Sequence, residues 1–119
     1  MPIKTPRTFV ITLGGNSLLR AKEKGNTEDQ YRNLWQTSQQ LLELLSSGNR
    51  IVIAQGNGPQ VGNLLLALES SRHIVPSMSL DICVAATQGF IGYMLQKTIA
   101  DCLLAGKERT ALRSIINNH

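Results

Sequence analysis

The stretch IVIAQGNGPQVGNLLLALES, residues 51–70, passes from a short apolar run into a turn of glycine, asparagine and proline. The run RIVIA, residues 50–54, is typical of a buried strand, because it is short, apolar and bounded by glycine. Apolar residues then recur with the i, i+3, i+4, i+7 spacing of a helix, at Val61, Leu64, Leu65 and Leu68. The stretch therefore predicts a strand, a glycine turn and a helix in succession.

The same pattern occurs earlier in the chain. Residues 8–13, TFVITL, are β-branched and apolar and stop at Gly14 and Gly15, which predicts a first strand buried on both faces. The polar residues 16–30 are typical of a loop. A helix then runs from a cap at Thr27 to about Ser47, with Gly48 ending it.

The C-terminal third of the chain predicts one long helix and a strand. The helix begins near Ser79 or Asp81 and runs to about Leu104, ending before Gly106. Gly89 and Gly92 lie in its interior, where close packing against another helix is the expected compensation. The residues TALRSII, 110–116, are typical of a third strand. The resulting order of elements predicts right-handed βαβ units, a parallel sheet and an α/β fold.

Composition indicates a soluble globular domain. The 119 residues are 42% apolar and 17% charged, and the net charge is +4 with a pI near 9.4. Basic residues are spread along the chain, and this favours a solvated, mildly basic surface. Affinity for phosphorylated metabolites is the second interpretation. Nucleic acid is disfavoured, since no aromatic residues are interleaved with the basic ones. No apolar run reaches membrane-spanning length, so we expect a cytoplasmic protein with no membrane partner.

The cysteines and histidines give no sign of a disulfide or a metal site. Cys83 and Cys102 on one helix would lie about 28 Å apart, too far for a disulfide, and they indicate buried thiols in a reducing compartment. His73 and His119 have no partners at metal-ligand spacing. We therefore predict no metal-ligating residues in this chain.

Both glycine turns follow strands of the predicted parallel sheet. Ligands bind at the carboxyl ends of such strands, where glycine allows backbone amides to approach an anion and a helix N-terminus adds a positive dipole. Pro59 suits the first helical position after Gly58, and Asn57 and Gln60 could add side-chain donors. A tight structural connection is the alternative for each turn. A dinucleotide fingerprint is excluded by the spacing GNGPQVG, and no GK[ST] occurs.

Three stretches of the chain resemble carbamate kinases of the amino acid kinase superfamily. They are FVITLGGNSLL, GNRIVIAQGNGPQVGNLLL and MSLDICVAATQGFIGYMLQKTI, and they lie within residues 9–104. The resemblance implies a three-layer αβα sandwich with a mainly parallel sheet, of which residues 1–119 are the N-terminal portion, with no second domain. It also implies reversible phosphoryl transfer from ATP to carbamate, giving ADP and carbamoyl phosphate, with Mg²⁺.

The resemblance also assigns roles to residues. It places Gly14, Gly15 and Asn16 against the phosphates and the second turn on the carbamate side, through Gln55, Gly56, Asn57, Gly58 and Gln60. Gln55 stands where the family often has histidine, so an ionisable role there is lost. The family's catalytic lysines belong to a C-terminal half that this chain does not contain. The resemblance implies a homodimer through the helix at residues 81–104.

Two other functions stay open beside the kinase. One is a non-catalytic remnant that dimerises through its third helix or binds a small anion without turnover. The other is a different amino acid kinase that acts on a carboxylate such as an N-acyl amino acid, against which the Q-G-x-I-G-Y helix argues. If the chain is part of a carbamate kinase, we expect the 119 residues alone to be inactive or nearly so, because no lysine lies in either turn to balance the transferring phosphoryl group.

Overall fold

The structure is a computed structural model that describes residues 5–14, 17–20, 23 and 25–117, with side chains described as far as residue 106. A short sheet is packed against helices. The elements in chain order are β1 (Thr8–Leu13), α1 (Thr27–Ser46), β2 (Arg50–Gln55), α2 (Gly58–Ser70) and α3 (Leu80–Asn117).

The sheet confirms the two predicted strands and their parallel pairing. β1 and β2 pair in parallel, in a register that runs from Thr8 opposite Arg50 to Leu13 opposite Gln55. Side chains alternate along both strands between a half-buried face and an exposed face. Val10 and Val52, register partners on the exposed face, are 70% and 53% exposed. The prediction that the first strand is buried on both faces is therefore wrong for the described chain, because the helices that form the core pack on one side.

The core lies between the inner face of the sheet and helices α1 and α3. Its buried members come from the loop after β1, from α1 and from α3; they are Leu18, Leu34, Ile91, Met94 and Leu95. Leu13 and Ile53 of the two strands pack against this cluster. Full burial of an aliphatic side chain of this size stabilises the fold by about 1.5–3 kcal/mol. The inner residues of both strands are thus fixed against α1 and α3.

Helix α1 begins and ends almost where the sequence predicts. Its N-terminal cap is Asn26 and not Thr27: the Asn26 side-chain oxygen accepts a hydrogen bond from the Asp29 backbone amide at 2.8 Å. Thr27 is already the first helical residue, so the prediction was wrong by one position. Gly48 has a φ of 80°, the left-handed conformation expected after a helix C-terminus.

Helix α3 is longer than the sequence predicts. It starts at Leu80, continues through Gly106 and reaches Asn117, so the strand predicted at residues 110–116 is wrong. One interior glycine costs a helix only about 1 kcal/mol relative to alanine, which is too little to stop it. The apolar residues Leu112, Ile115 and Ile116 also fit the i, i+3, i+4 spacing of a helix.

The glycines within α3 do not touch another helix in the described chain. A Cβ atom at Gly89 would meet nothing within 4 Å, and at Gly92 the nearest atom would be Gln55 Nε2 at 3.8 Å. The expected close helix packing at these glycines is therefore not seen within the described chain.

Both cysteines are buried thiols of α3, as predicted. Cys83 is fully buried and Cys102 nearly so, which limits the reactivity of both thiols.

In the part of the chain that the structure describes, no helix has the length and apolarity needed to cross a membrane.

A buried asparagine connects the loop after β1 to helix α1. Asn33 is 1% exposed, and its side-chain amide donates to the Leu18 carbonyl oxygen and to Glu23 Oε1, both at 2.8 Å. The Arg20 backbone amide donates to the same carboxylate oxygen at 2.9 Å. The Asn33 hydrogen bond, followed by the one from Arg20, holds the pKa of Glu23 below its usual value of 4.5. Asn33 therefore fixes the segment that leads away from the first glycine turn.

Replacing Asn33 tests this connection. We expect Asn33→Leu to lower the free energy of unfolding by about 1–3 kcal/mol, because the Leu18 carbonyl loses its partner. The pKa of Glu23 should rise toward 4.5. Urea unfolding and NMR titration of the glutamate carboxyl measure the two effects. Gln40→Leu, at an exposed position of α1, should change the stability by less than about 0.5 kcal/mol. Equal stability of Asn33→Leu and wild type would contradict this role.

Candidate functional site at the sheet edge

Gly14, which opens the first glycine turn, lies beside the second glycine turn because the two strands end in register. Leu13 and Gln55 are partners at the ends of β1 and β2, and the Gly56 backbone amide donates to the Leu13 carbonyl oxygen at 2.7 Å. In the first turn, the Ser17 amide donates to the Gly14 carbonyl oxygen at 2.9 Å. Gly15 and Asn16, both predicted to contact phosphates, lie outside the described residues. The structure thus brings Gly14 and the second turn to one edge of the sheet.

The second turn leads directly into the N-terminus of α2. Gly58 is the first helical residue, one position earlier than expected, and Pro59 follows in the first turn as predicted. The first turn of the helix carries no acidic side chain, so its positive dipole faces no carboxylate of its own. Gly58 is exposed, and a Cβ atom there would meet nothing within 4 Å. A small anion can therefore approach the backbone closely at Gly58.

Gly56 plays a different role from Gly58. Its N–H group is used in the hydrogen bond to Leu13, so it extends the strand pairing and is not available to a ligand. The predicted pair of amide donors is thus reduced to the one at Gly58. The sequence could not show this, since it depends on the register of β1 against β2.

The side chains of Gln55 and Asn57 bind helix α3. Gln55 Nε2 donates to the Gln88 carbonyl oxygen at 3.2 Å. Asn57 Nδ2 donates to Thr87 Oγ1 at 2.9 Å and to the Val84 carbonyl oxygen at 3.2 Å. The side-chain donors of Asn57 are therefore engaged within the chain and do not face a ligand, contrary to the sequence expectation.

Gln60 and Thr87 are the buried polar residues around this turn. Gln60 is 4% exposed. Thr87 is fully buried, and its hydroxyl is 2.9 Å from the Cys83 carbonyl oxygen as well as from Asn57 Nδ2. Thr87 was not predicted from the sequence as a residue of the site. Its signal was its position inside the stretch MSLDICVAATQGFIGYMLQKTI, which carries the family resemblance but whose helix was assigned to the dimer contact.

A polar cavity of about 640 Å³ lies beside the first turn and α1, and not at the glycines. Its lining comprises Ser17, Arg20, Gln36, Thr37, Gln39, Gln40 and Glu43. An Arg20 guanidinium nitrogen donates to Gln36 Oε1 at 2.6 Å across it.

Hydrogen bonds from neighbouring hydroxyl groups hold the pKa of two carboxyl groups below their usual values. The hydroxyl of Ser79 lowers the pKa of Asp81, and the hydroxyl of Ser77 lowers the pKa of Glu69. Glu69 lies in the last turn of α2 and Asp81 in the first turn of α3, and neither belongs to the glycine turns.

The comparisons with known proteins point to one enzyme family. A carbamate kinase from Giardia intestinalis is 37% identical over 102 residues, which are 86% of this chain and 32% of the relative. Carbamate kinase 1 from Enterococcus faecium is 44% identical over 96 residues, which are 78% of this chain and 30% of the relative. No family model matches the chain. The chain therefore spans about a third of the length of these curated relatives.

Solved structures give the same result for the fold. Carbamate kinase from Giardia lamblia bound to AMP-PNP matches with a TM-score of 0.81 at 35% identity, over 89% of this chain and 37% of that one. A protein from Aeropyrum pernix matches with a TM-score of 0.75 at 34% identity, over 83% of this chain and 31% of that one. The predicted α/β fold of the carbamate kinase type is confirmed. The described residues contribute the sheet and the helices on one of its faces.

The contact between Asn57 and Thr87 can be tested by a double-mutant cycle. We expect Asn57→Ala and Thr87→Val to lose less stability together than the sum of the single variants, by about 0.5–3 kcal/mol, because each removes the same hydrogen bond. Urea unfolding measures the coupling. Thr98→Val is the matched control, since Thr98 is buried in α3 and donates to the Met94 carbonyl in the same way without touching the turn. Additive effects of Asn57→Ala and Thr87→Val would show that the contact does not form.

Proposed function

We propose that this chain is the N-terminal part of a carbamate kinase-like domain and that its two glycine turns form half of the active site. The reaction is ATP plus carbamate giving ADP plus carbamoyl phosphate. The observation that carries the proposal is that Gly14 and the second turn lie at one edge of the sheet, where the Gly56 amide donates to the Leu13 carbonyl oxygen. The similarity to carbamate kinases at 37% and 44% identity supports the choice of substrates.

The turns have separate roles in this proposal. Gly14, Gly15 and Asn16 lie against the phosphates, and Gln55, Gly56, Asn57, Gly58 and Gln60 form the carbamate side. Phosphoryl transfer depends on positioning and on stabilising negative charge, so an exposed amide at a helix N-terminus is suited to it. At Gly58 the backbone amide binds an oxygen of the substrate, while Gln55 and Asn57 fix the turn on α3.

ATP and Mg²⁺ are the proposed cofactor and metal. The AMP-PNP complex of the Giardia relative supports use of a nucleotide. The described residues of this chain do not fit Mg²⁺: among them, no group of three or more His, Cys, Asp or Glu side chains could hold a metal ion. No step through the metal is therefore derived from these residues. The buried thiols of Cys83 and Cys102 support a reducing, cytoplasmic location.

The binding role of the second turn is tested at Gly58. We expect Gly58→Ala to weaken binding of carbamoyl phosphate at least about tenfold, because the added methyl group occupies the space that the anion needs beside the amide. The dissociation constant is measured by NMR titration of ¹⁵N-labelled chain. Gly62→Ala is the control, since it makes the same change in α2 at another exposed glycine with open space around it. Unchanged affinity in Gly58→Ala would refute the proposed site.

A homodimer through residues 81–104 of α3 is the second candidate function. Ile82, Phe90 and Tyr93 lie near one face of the helix at i, i+8 and i+11, and they are 48%, 38% and 63% exposed. Gly89 lies beside them with open space at its Cβ position. Such a face favours contact with a second copy of the helix, which would explain the interior glycines.

Light scattering tests the dimer. We expect a mass near twice 13.0 kDa for the wild-type chain and a mass near 13.0 kDa for Tyr93→Glu, because the carboxylate would be buried without a partner. Gln40→Glu, an exposed change on α1, should leave the dimer intact. A wild-type chain that is monomeric at high micromolar concentration excludes this candidate.

A further inference from the structure

The orientation of the two side-chain amides next to Gly56 is fixed by main-chain carbonyls. A carbonyl oxygen only accepts hydrogen bonds, so the group facing it must be the amide nitrogen and not the amide oxygen. Gln55 presents its nitrogen to the Gln88 carbonyl at 3.2 Å, and Asn57 presents its nitrogen to the Val84 carbonyl at 3.2 Å. Both side chains therefore direct their donors toward α3.

The second N–H group of the Asn57 side-chain amide donates to the Thr87 hydroxyl oxygen. This hydroxyl has a single hydrogen, which is directed to the Cys83 and Val84 carbonyl oxygens at 2.9 and 3.0 Å. The same oxygen then accepts from Asn57 Nδ2 at 2.9 Å. With both N–H groups of Asn57 engaged by α3, Oδ1 is the remaining polar atom of this side chain. The turn thus holds this acceptor in one orientation, directly before the exposed residue Gly58.

Gln55 differs from Asn57 in its access to a ligand. The Oε1 atom of Gln55 is closed off from solvent and has no hydrogen-bond partner within the described part of the chain. Asn57 is half-buried and directly precedes the exposed residue Gly58. Of the two amides, Asn57 is therefore the candidate for contact with a ligand.

An acceptor beside an amide donor suits a ligand that carries both oxygen and N–H groups. A phosphate or a carboxylate that carries no proton offers only acceptors, which suit Gly58 but not Asn57 Oδ1. Carbamate and carbamoyl phosphate add an NH₂ group to the oxygens. When a ligand carries a methyl group in place of the NH₂ group, the acceptor is covered by the ligand but receives no hydrogen bond. The lost hydrogen bond is not compensated, so the site binds that analogue more weakly.

We infer that Asn57 Oδ1 accepts a hydrogen bond from the amino group of the substrate, and that the contact with Thr87 holds it in that orientation. Asn57 is then the residue that selects a carbamoyl group over an acyl group of the same shape. The inference rests on the proposed function, because it concerns the substrate of the same site. Thr87 is a positioning residue: it acts through Asn57 and touches no substrate.

The test compares two ligands that differ only in this group. Carbamoyl phosphate and acetyl phosphate are titrated into the ¹⁵N-labelled chain, and the Gly58 amide and the Asn57 side-chain NH₂ signals are followed. We expect the wild-type chain to bind carbamoyl phosphate about tenfold more tightly, the ratio that one hydrogen bond provides. Asn57→Ala should bring the ratio of the dissociation constants to about one, and Thr87→Val should lower it. Thr98→Val should leave it unchanged.

The ratio of the dissociation constants separates selectivity from structural damage, because loosening of the turn weakens the binding of both ligands alike. Equal affinity of the wild-type chain for both ligands would overturn the inference and leave the proposed function standing. A tenfold ratio that persists in Asn57→Ala would also overturn it. If Asn57→Ala does not fold, Thr87→Val takes its place: an unchanged ratio of the two dissociation constants in Thr87→Val would overturn the inference. Failure of the wild-type chain to bind either ligand would overturn the proposed function itself, and the inference with it.

Discussion

The parallel pairing of β1 with β2 is the constraint on which the site depends. The register from Thr8 opposite Arg50 to Leu13 opposite Gln55 makes the two strands end at the same level. A shift by one residue would reverse the faces of every side chain in one strand and separate the turns. The Gly56 amide adds one more hydrogen bond beyond the last pair, so the pairing extends into the turn itself. The position of Gly58 at the start of α2 follows from that contact.

Helix α3 has one role in the core and another at the turn. Its residues Ile91, Met94 and Leu95 pack with α1 and the inner face of the sheet. About one turn earlier, Thr87 and the carbonyls of Val84 and Gln88 hold the second glycine turn. The packing of α3 therefore determines where the turn lies, since the same rigid helix carries both sets of contacts. This explains why a ligand-facing loop depends on residues nearly thirty positions later in the chain.

The sequence predicted the elements whose signals are local and missed those that depend on tertiary contacts. The strands, α1, α2 and the conformation of Gly48 follow from the spacing of apolar residues and from the glycines that end each element. The residues 110–116 were mistaken for a strand because Ile115 and Ile116 are β-branched, and glycine at Gly106 was given too much weight as a stop signal. The glycine turns were found, but the engagement of the Gly56 amide and of the Asn57 side chain was not. Those hydrogen bonds join groups that only the folded chain brings together.

The exposed valines of the sheet have a consequence for how the chain behaves in solution. Val10 and Val52 form an apolar pair on the open face, and within the described residues β1 and β2 pair only with each other. A sheet with free edges and an apolar face is a template on which further strands can add. Arg50 and the hydroxyls of Thr8 and Thr12 share that face and oppose such growth, as polar gatekeepers do. Association through this face of the sheet is thus opposed by a few polar groups around one valine pair.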